Sequence, residues 1–175
     1  MVFFIGLCLL AGILFSILFP NRRIWPPPKR KSWEFYISWT TSYLFLIGII
    51  IVGVIDYNLF IFNLFHYKII GFILLVFGLF IIIWGYYTLG IQQTHGLKGE
   101  LVIDGPYKYS RNPQYLGIII LILGTTLIFN SLLFLLNGIL GIICFLILPL
   151  AEEPWLKKQY GEEYERYKEI VGRFL

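Results

Sequence analysis

Two clusters of polar side chains interrupt an otherwise apolar chain, and both carry groups able to hold a charged ligand. The first is Gly105 to Gly117, GPYKYSRNPQYLG, which combines Tyr107, Tyr109 and Tyr115 with Lys108, Arg111 and the pair Asn112-Pro113. Asparagine followed by proline fits a helix N-cap with proline at the first helical position. Such a start offers free N–H groups and a positive dipole end, which bind a carboxylate or a phosphate. Asn112 is either an ordinary cap or both cap and ligand. Arg111 is either part of the anion site or a membrane-edge cation that snorkels to water. The second cluster is Glu152-Glu153. Ionised carboxylates only accept hydrogen bonds, so the pair suits an ammonium, ribose hydroxyls or nearby lysines. At the end of an apolar helix the dipole disfavours two anions, and something must compensate. The alternative is that the pair opens a solvated following helix.

Other chemistries find no support. HExxH, the P-loop, GxSxG and GxGxxG are all absent. Cys8 and Cys144 stand alone inside apolar runs, as packing residues rather than metal ligands or a disulfide framework. No metal site is expected.

The elements that must position the two clusters are membrane helices. The chain is 58% hydrophobic and 14% charged, against about 25% charged in soluble domains. Its uncharged runs reach the roughly 18 residues of a transmembrane candidate. The fold class expected is an all-α integral membrane protein, a single membrane domain over residues 1–175. It has five transmembrane helices, the last two a helical hairpin, plus a C-terminal amphipathic helix. The spans fall at about 2–19, 35–55, 69–89, 114–129 and 132–150, with a short aromatic loop from Asp56 to His66. Asn112 to Ala151 is forty residues without a charge. As one helix it would be about 60 Å long, twice the roughly 30 Å hydrocarbon core, so it turns back. Asn130-Ser131 is the polar pair near its middle; Asn137-Gly138 is the rival turn and leaves a short final span.

Thirteen of the fourteen Lys and Arg residues then fall on one side, with Lys68 alone on the other. That places the N-terminus outside and the C-terminus in the cytoplasm. The net charge of +4 is therefore loop charge and no sign of nucleic acid. Trp25, Trp33 and Trp39 are expected as anchors in the cytoplasmic interface. Glycines and prolines between Gly90 and Pro113 forbid a continuous helix, and irregular backbone at membrane depth needs protein or a cavity around it. The hairpin returns Glu152-Glu153 to the same face, where the pair meets this loop. In the tail, Leu156, Tyr160, Tyr164, Tyr167, Val171 and Phe174 recur at steps of three and four, with Gly161 as a candidate break.

The stretch VIDGPYKYSRNPQYLG, an apolar hairpin, and EEPWLKKQYGEEYERYK together resemble the isoprenylcysteine carboxyl methyltransferase and phospholipid methyltransferase superfamily. The likeness covers about residues 85–175. It implies S-adenosylmethionine bound on the cytoplasmic side and a lipid or lipidated acceptor that enters from the bilayer. By position, Gln92 and the segment Gly99, Glu100, Leu101 and Val102 would line the cofactor. Tyr107 and the turn Asn112, Pro113, Gln114, Tyr115 would hold its adenine and methionyl parts, with Arg111 beside the helix start. Glu152 would take a polar group of the cofactor, and Glu153 is its neighbour. The prenylcysteine branch commonly has a histidine where this chain has Asn112, while the phosphatidylethanolamine branch can have asparagine, and a histidine often stands where this chain has Gly99. Leu148 stands where the prenylcysteine branch has an arginine, and Glu152-Glu153-Pro154 is like the phospholipid branch. A glycine-rich motif of that branch is partly present as Tyr87-Thr88-Leu89-Gly90. The resemblance leaves the acceptor open and assigns no catalytic base. Two rival readings are a nicotinamide-dependent membrane reductase of the sterol or steroid type and a non-catalytic membrane scaffold. A scaffold has no need of an Asn-Pro helix start facing an acidic pair.

Overall fold

The structure is a computed structural model that describes residues 1–60 and 65–175. Among the described residues the fold is helical, without strands. The helices are α1 (Val2–Leu18), α2 (Trp33–Ile55), α3 (Phe65–Leu89), the short α4 (Ile91–Thr94), α5 (Pro113–Phe129), α6 (Leu132–Tyr160) and α7 (Glu162–Ile170). α2, α3 and α6 are long and apolar enough to cross a membrane; α1 and α5 are apolar and seventeen residues each. Their outward faces carry Ile47, Ile51, Phe72, Ile73, Phe80 and Ile83, all exposed. Such a girdle matches lipid and not water.

Local signals set the boundaries. α2 begins two residues before the expected span because Ser32 caps it, accepting from the Phe35 N–H at 3.2 Å. α3 includes Phe65 and His66, which the sequence reading placed in the Asp56–His66 loop; residues 61–64 of that loop lie outside the described residues. Asn130 ends α5 in the left-handed region at φ 48°, and Ser131 caps α6 by accepting from the Phe134 N–H at 2.9 Å. Asp56, at the end of α2, holds this turn through Ser131 Oγ at 2.5 Å and Leu133 N–H at 3.0 Å. Both hydrogen bonds keep its carboxyl below the usual range.

α6 differs most from expectation. It does not stop near residue 150 but runs on through Pro149 and Pro154 to Tyr160. Each proline removes one backbone donor, which alone favours a break. Packing overrides that local preference. Ala151 sits against Ile13 and Cys144, and Leu156 and Tyr160 sit against Tyr164, Tyr167 and Val171. Glu152 and Glu153 therefore lie within a helix, neither at its C-terminus nor at the start of the tail helix. The dipole argument for a compensating partner does not apply. At 29 residues α6 is about 44 Å long, so its last turns project beyond a bilayer core. The chain reverses at Gly161, φ 57°, into α7, whose Tyr164 and Tyr167 turn inward while Glu162, Glu163 and Arg166 face out.

α3 and α5 form the closest seam. Gly71, Gly78 and Gly85 recur every seven residues on α3, where Gly71 meets Gly124, Gly78 meets Gly117 and Gly85 meets Gln114 of α5. A Cβ on Gly78 would lie 2.7 Å from the Gly117 carbonyl oxygen, and one on Gly124 would lie 2.6 Å from the Gly71 carbonyl oxygen. Small residues permit this backbone approach, which is how helices associate without a hydrophobic driving force. The core of the rest is Phe45, Ile49, Ile122 and Phe134. α1 packs along α6 and α2. The seam fixes the start of α5, and α6 crosses beside it, so the two polar clusters share one end of the bundle.

Candidate active site

A cleft of about 830 Å³, its open mouth included, lies between the start of α5, the last turns of α6, α7 and the 93–111 loop. It is lined by Glu100, Leu101, Val102, Tyr107, Arg111, Asn112, Gln114, Tyr115, Glu152 and Glu153, which the sequence reading singled out. Three other candidates stand outside it. Gln92 lines a smaller hollow with Arg30, Phe35 and His95. Gly99 is behind the wall, where its carbonyl accepts from Gln159 Nε2 at 3.1 Å and Tyr160 Oη at 3.0 Å. Pro113 is buried as the first residue of α5.

The two glutamates have opposite surroundings. Glu153 is held by cations: Arg173 grips both its oxygens, Nε at 2.8 Å and Nη2 at 3.0 Å, and Arg111 Nη1 donates at 3.1 Å. Arg111 also donates to Tyr164 Oη at 3.3 Å, and its side chain is 9% exposed. It is neither a snorkelling cation nor a free anion receptor, because a buried guanidinium needs its carboxylate. Among the described residues its Nε is buried without a partner. Among the described residues Glu152 meets only neutral donors. Trp25 Nε1 donates to Oε1 at 2.6 Å and Tyr115 Oη donates to the same oxygen. Among the described residues Oε2 receives no hydrogen bond from the protein and is left open to a ligand.

Asn112 occupies the N-cap position of α5, yet its side chain makes no cap bond. Its Nδ2 instead donates to the Arg173 carbonyl at 3.0 Å, which ties the tail to the loop. The Arg111 N–H to Gly172 carbonyl bond, 3.0 Å, is a second tie. The first amides of α5 are thereby left without a side-chain acceptor, at the positive end of the helix dipole.

The phenols around the cleft are neutral hydroxyls at pH 7. Burial, reinforced by the Glu152 charge, raises Tyr107 far above the ordinary tyrosine range. Burial pushes Tyr164 up to about 12, with Glu153 adding to it and Arg111 partly offsetting it. Burial likewise raises Tyr167, whose hydroxyl donates to the Tyr107 carbonyl at 2.6 Å. The loop is further fastened by Gln93 Nε2 to the Glu100 carbonyl at 2.9 Å and by Gln114 Nε2 to Thr94 Oγ1 at 3.1 Å.

Sequence reasoning missed Trp25, Gln93, Thr94, Tyr160, Tyr164 and Tyr167, all of which line the cleft, and Arg173, which reaches Glu153. Tyr164 and Tyr167 were visible as the inward face of an amphipathic helix, but not what they face. Gln93 is one residue from Gln92, and a single short helical turn decides which of the two points inward. Trp25 was assigned to the membrane interface.

Residues 67–163, over half of the chain, match the family model for phospholipid methyltransferase. The chain belongs to the phospholipid methyltransferase family. It is also similar to phosphatidylethanolamine N-methyltransferase B of Dictyostelium discoideum, 29% identical over 93 residues. That match covers 49% of this chain, which spans just under half (46%) of the relative's length. No solved structure matches. The family-matched region contains the whole 90–113 loop, α5 and α6. Trp25, Tyr164, Tyr167 and Arg173, on the cleft or joined to it, lie outside it.

Proposed function

We propose that this chain is a membrane methyltransferase that takes the methyl group from S-adenosylmethionine and passes it to the amine of a lipid. The observation that carries this is the division between Glu153 and Glu152. One carboxyl group is neutralised by two arginines, while the other, in the same cleft, meets no cation among the described residues and keeps one oxygen for a cationic ligand. The residues fit the cofactor. The uncapped first amides of α5 suit its methionyl carboxylate. Glu152 suits a cationic amine or sulfonium, and Leu101, Val102 and Leu156 give the adenine an apolar wall. The relative's name supports a lipid amine as acceptor. So does the absence of a basic residue at Leu148 for an acceptor carboxylate.

When bound, the cofactor supplies an electrophilic methyl group on sulfur. The protein's part is to hold, align and dry the site. Arg173 and Arg111 lock Glu153, and through it they lock α6 to the tail and the loop. Tyr107, Tyr164 and Tyr167 close the cleft as neutral groups that add no competing charge. A nicotinamide dinucleotide fits less well. Its diphosphate needs cations, and the two arginines here are committed to Glu153.

Titration calorimetry in detergent checks the cofactor. S-adenosylmethionine and S-adenosylhomocysteine are expected to bind, and NADPH is not; NADPH binding alone would replace this reading with the reductase. We further propose five membrane crossings with the N-terminus outside and the cleft cytoplasmic, supported by the one-sided Lys and Arg distribution. Leu59 is 73% exposed beside the opposite end of the bundle. A cysteine at Leu59 is expected to react with an impermeant thiol reagent on intact cells, and one at Lys29 only after permeabilisation. The reverse pattern would invert the orientation.

A further inference from the structure

We infer that Trp25, which lines the cleft from outside the family-matched region, is a positioning residue of this site. The inference rests on the cleft being the cofactor site. The loop is rigidly seated. Ser16, 1% exposed in α1, accepts the N–H groups of both Ile24 and Trp25 at 3.0 Å. Ser38 Oγ of α2 donates to the Ile24 carbonyl at 3.3 Å. Arg23 Nε donates to the Pro26 carbonyl at 2.8 Å, and its guanidinium stands 5.9 Å from the Trp155 ring centroid. Pro26 and Pro27 are fully buried against Gly96, where an added Cβ would lie 3.0 Å from Pro27 Cδ.

The indole is thus held between α1, α2 and the 93–111 loop, with the Trp39 ring 5.9 Å away. Its one polar atom points at Glu152 Oε1, 2.6 Å off. An indole N–H only donates. A lysine or arginine there would fix the carboxylate and also neutralise it, as Arg173 does to Glu153. Trp25 fixes it without bringing a cation, so that place is left for the ligand's. Trp25 and Tyr115 both take Oε1, so Oε2 is turned toward the cleft for the ligand's cation. A membrane-anchor role would point the N–H to the headgroups, and here it is used inside the protein.

The test is Trp25→Phe, which keeps an aromatic ring and removes the donor. Calorimetry with S-adenosylhomocysteine on detergent-solubilised protein is expected to show about a tenfold weaker Kd, with the melting temperature of the ligand-free protein nearly unchanged. In a Glu152→Gln background the same change is expected to cost less than about twofold, because the two residues act through one carboxylate. If the wild type does not bind S-adenosylhomocysteine, the proposed function fails. If the wild type binds and Trp25→Phe binds equally well, or the two effects multiply, the positioning role fails. Should Trp25→Phe not fold, the five tryptophan indole N–H signals of the intact protein decide. One is expected to shift both on adding S-adenosylhomocysteine and on Glu152→Gln; a spectrum in which none responds to Glu152→Gln overturns the inference.

Discussion

Glu152→Gln is expected to weaken binding of S-adenosylmethionine by about ten- to a hundred-fold while leaving the melting temperature of the ligand-free protein unchanged or slightly raised. The amide keeps the shape and still accepts from Trp25 and Tyr115, but the charge that meets the ligand's cation is gone. A charge-assisted hydrogen bond contributes about 1.5–3 kcal/mol, which is that range of affinity. Stability does not suffer, because a largely buried carboxylate without a cation is itself a cost to the empty fold. Glu153→Gln, one residue away, is expected to do the opposite. It leaves Arg111 buried with no carboxylate and frees Arg173, the kind of loss that costs about 3–5 kcal/mol. Binding would fall only because the tail and the loop come apart. Melting curves and calorimetry on both variants separate the two roles. Equal destabilisation by the two changes, with affinity retained in Glu152→Gln, would make the acidic pair a structural feature throughout.

Gly124→Val and Gly78→Val are expected to lower stability by about 3 kcal/mol or more, or to abolish folding. Added carbon would meet backbone and not the flexible end of a side chain: 2.6 Å to the Gly71 carbonyl oxygen and 2.7 Å to the Leu75 nitrogen at Gly124, and 2.7 Å to the Gly117 carbonyl oxygen at Gly78. The helices must separate to accept it, and overpacking on that scale exceeds the usual 1–3 kcal/mol. Since α5 presents Gln114 and Tyr115 to the cleft, cofactor binding would fall with stability. Gly12→Ala is the control. Nothing stands within 4 Å of a Cβ there, and the change is expected to stay within about 1 kcal/mol of wild type. Thermal unfolding in detergent compares them. A Gly124→Val protein as stable as Gly12→Ala would remove the seam as the element that fixes α5.

Much of the helical layout was legible because local rules govern it. Uncharged runs of membrane length have few alternatives to helix, and Asn130-Ser131 is a polar interruption placed where the chain must reverse. The end of α6 was not legible. Pro149 and Pro154 argue locally for a break, and only packing against α1 and α7 carries the helix past them. The glycine spacing on α3 was present in the sequence, but its partner on α5 depends on two helices lying side by side.

The same boundary runs through the site. The sequence by itself determined the family and the membrane character, and it singled out the one loop and one acidic pair of the proposed site, since these rest on residue types and short-range order. Tertiary structure alone decided which glutamate stays available. Glu152 and Glu153 are neighbours with the same side chain, and they differ only in what faces them. Arg111 and Arg173 reach Glu153 from the loop and the tail. Trp25, 127 residues away in sequence, reaches Glu152. Nothing in residue type or spacing encodes that difference. The field at a carboxylate is set by groups within a few ångströms, and those groups are brought there by the packing of α1, α5, α6 and α7.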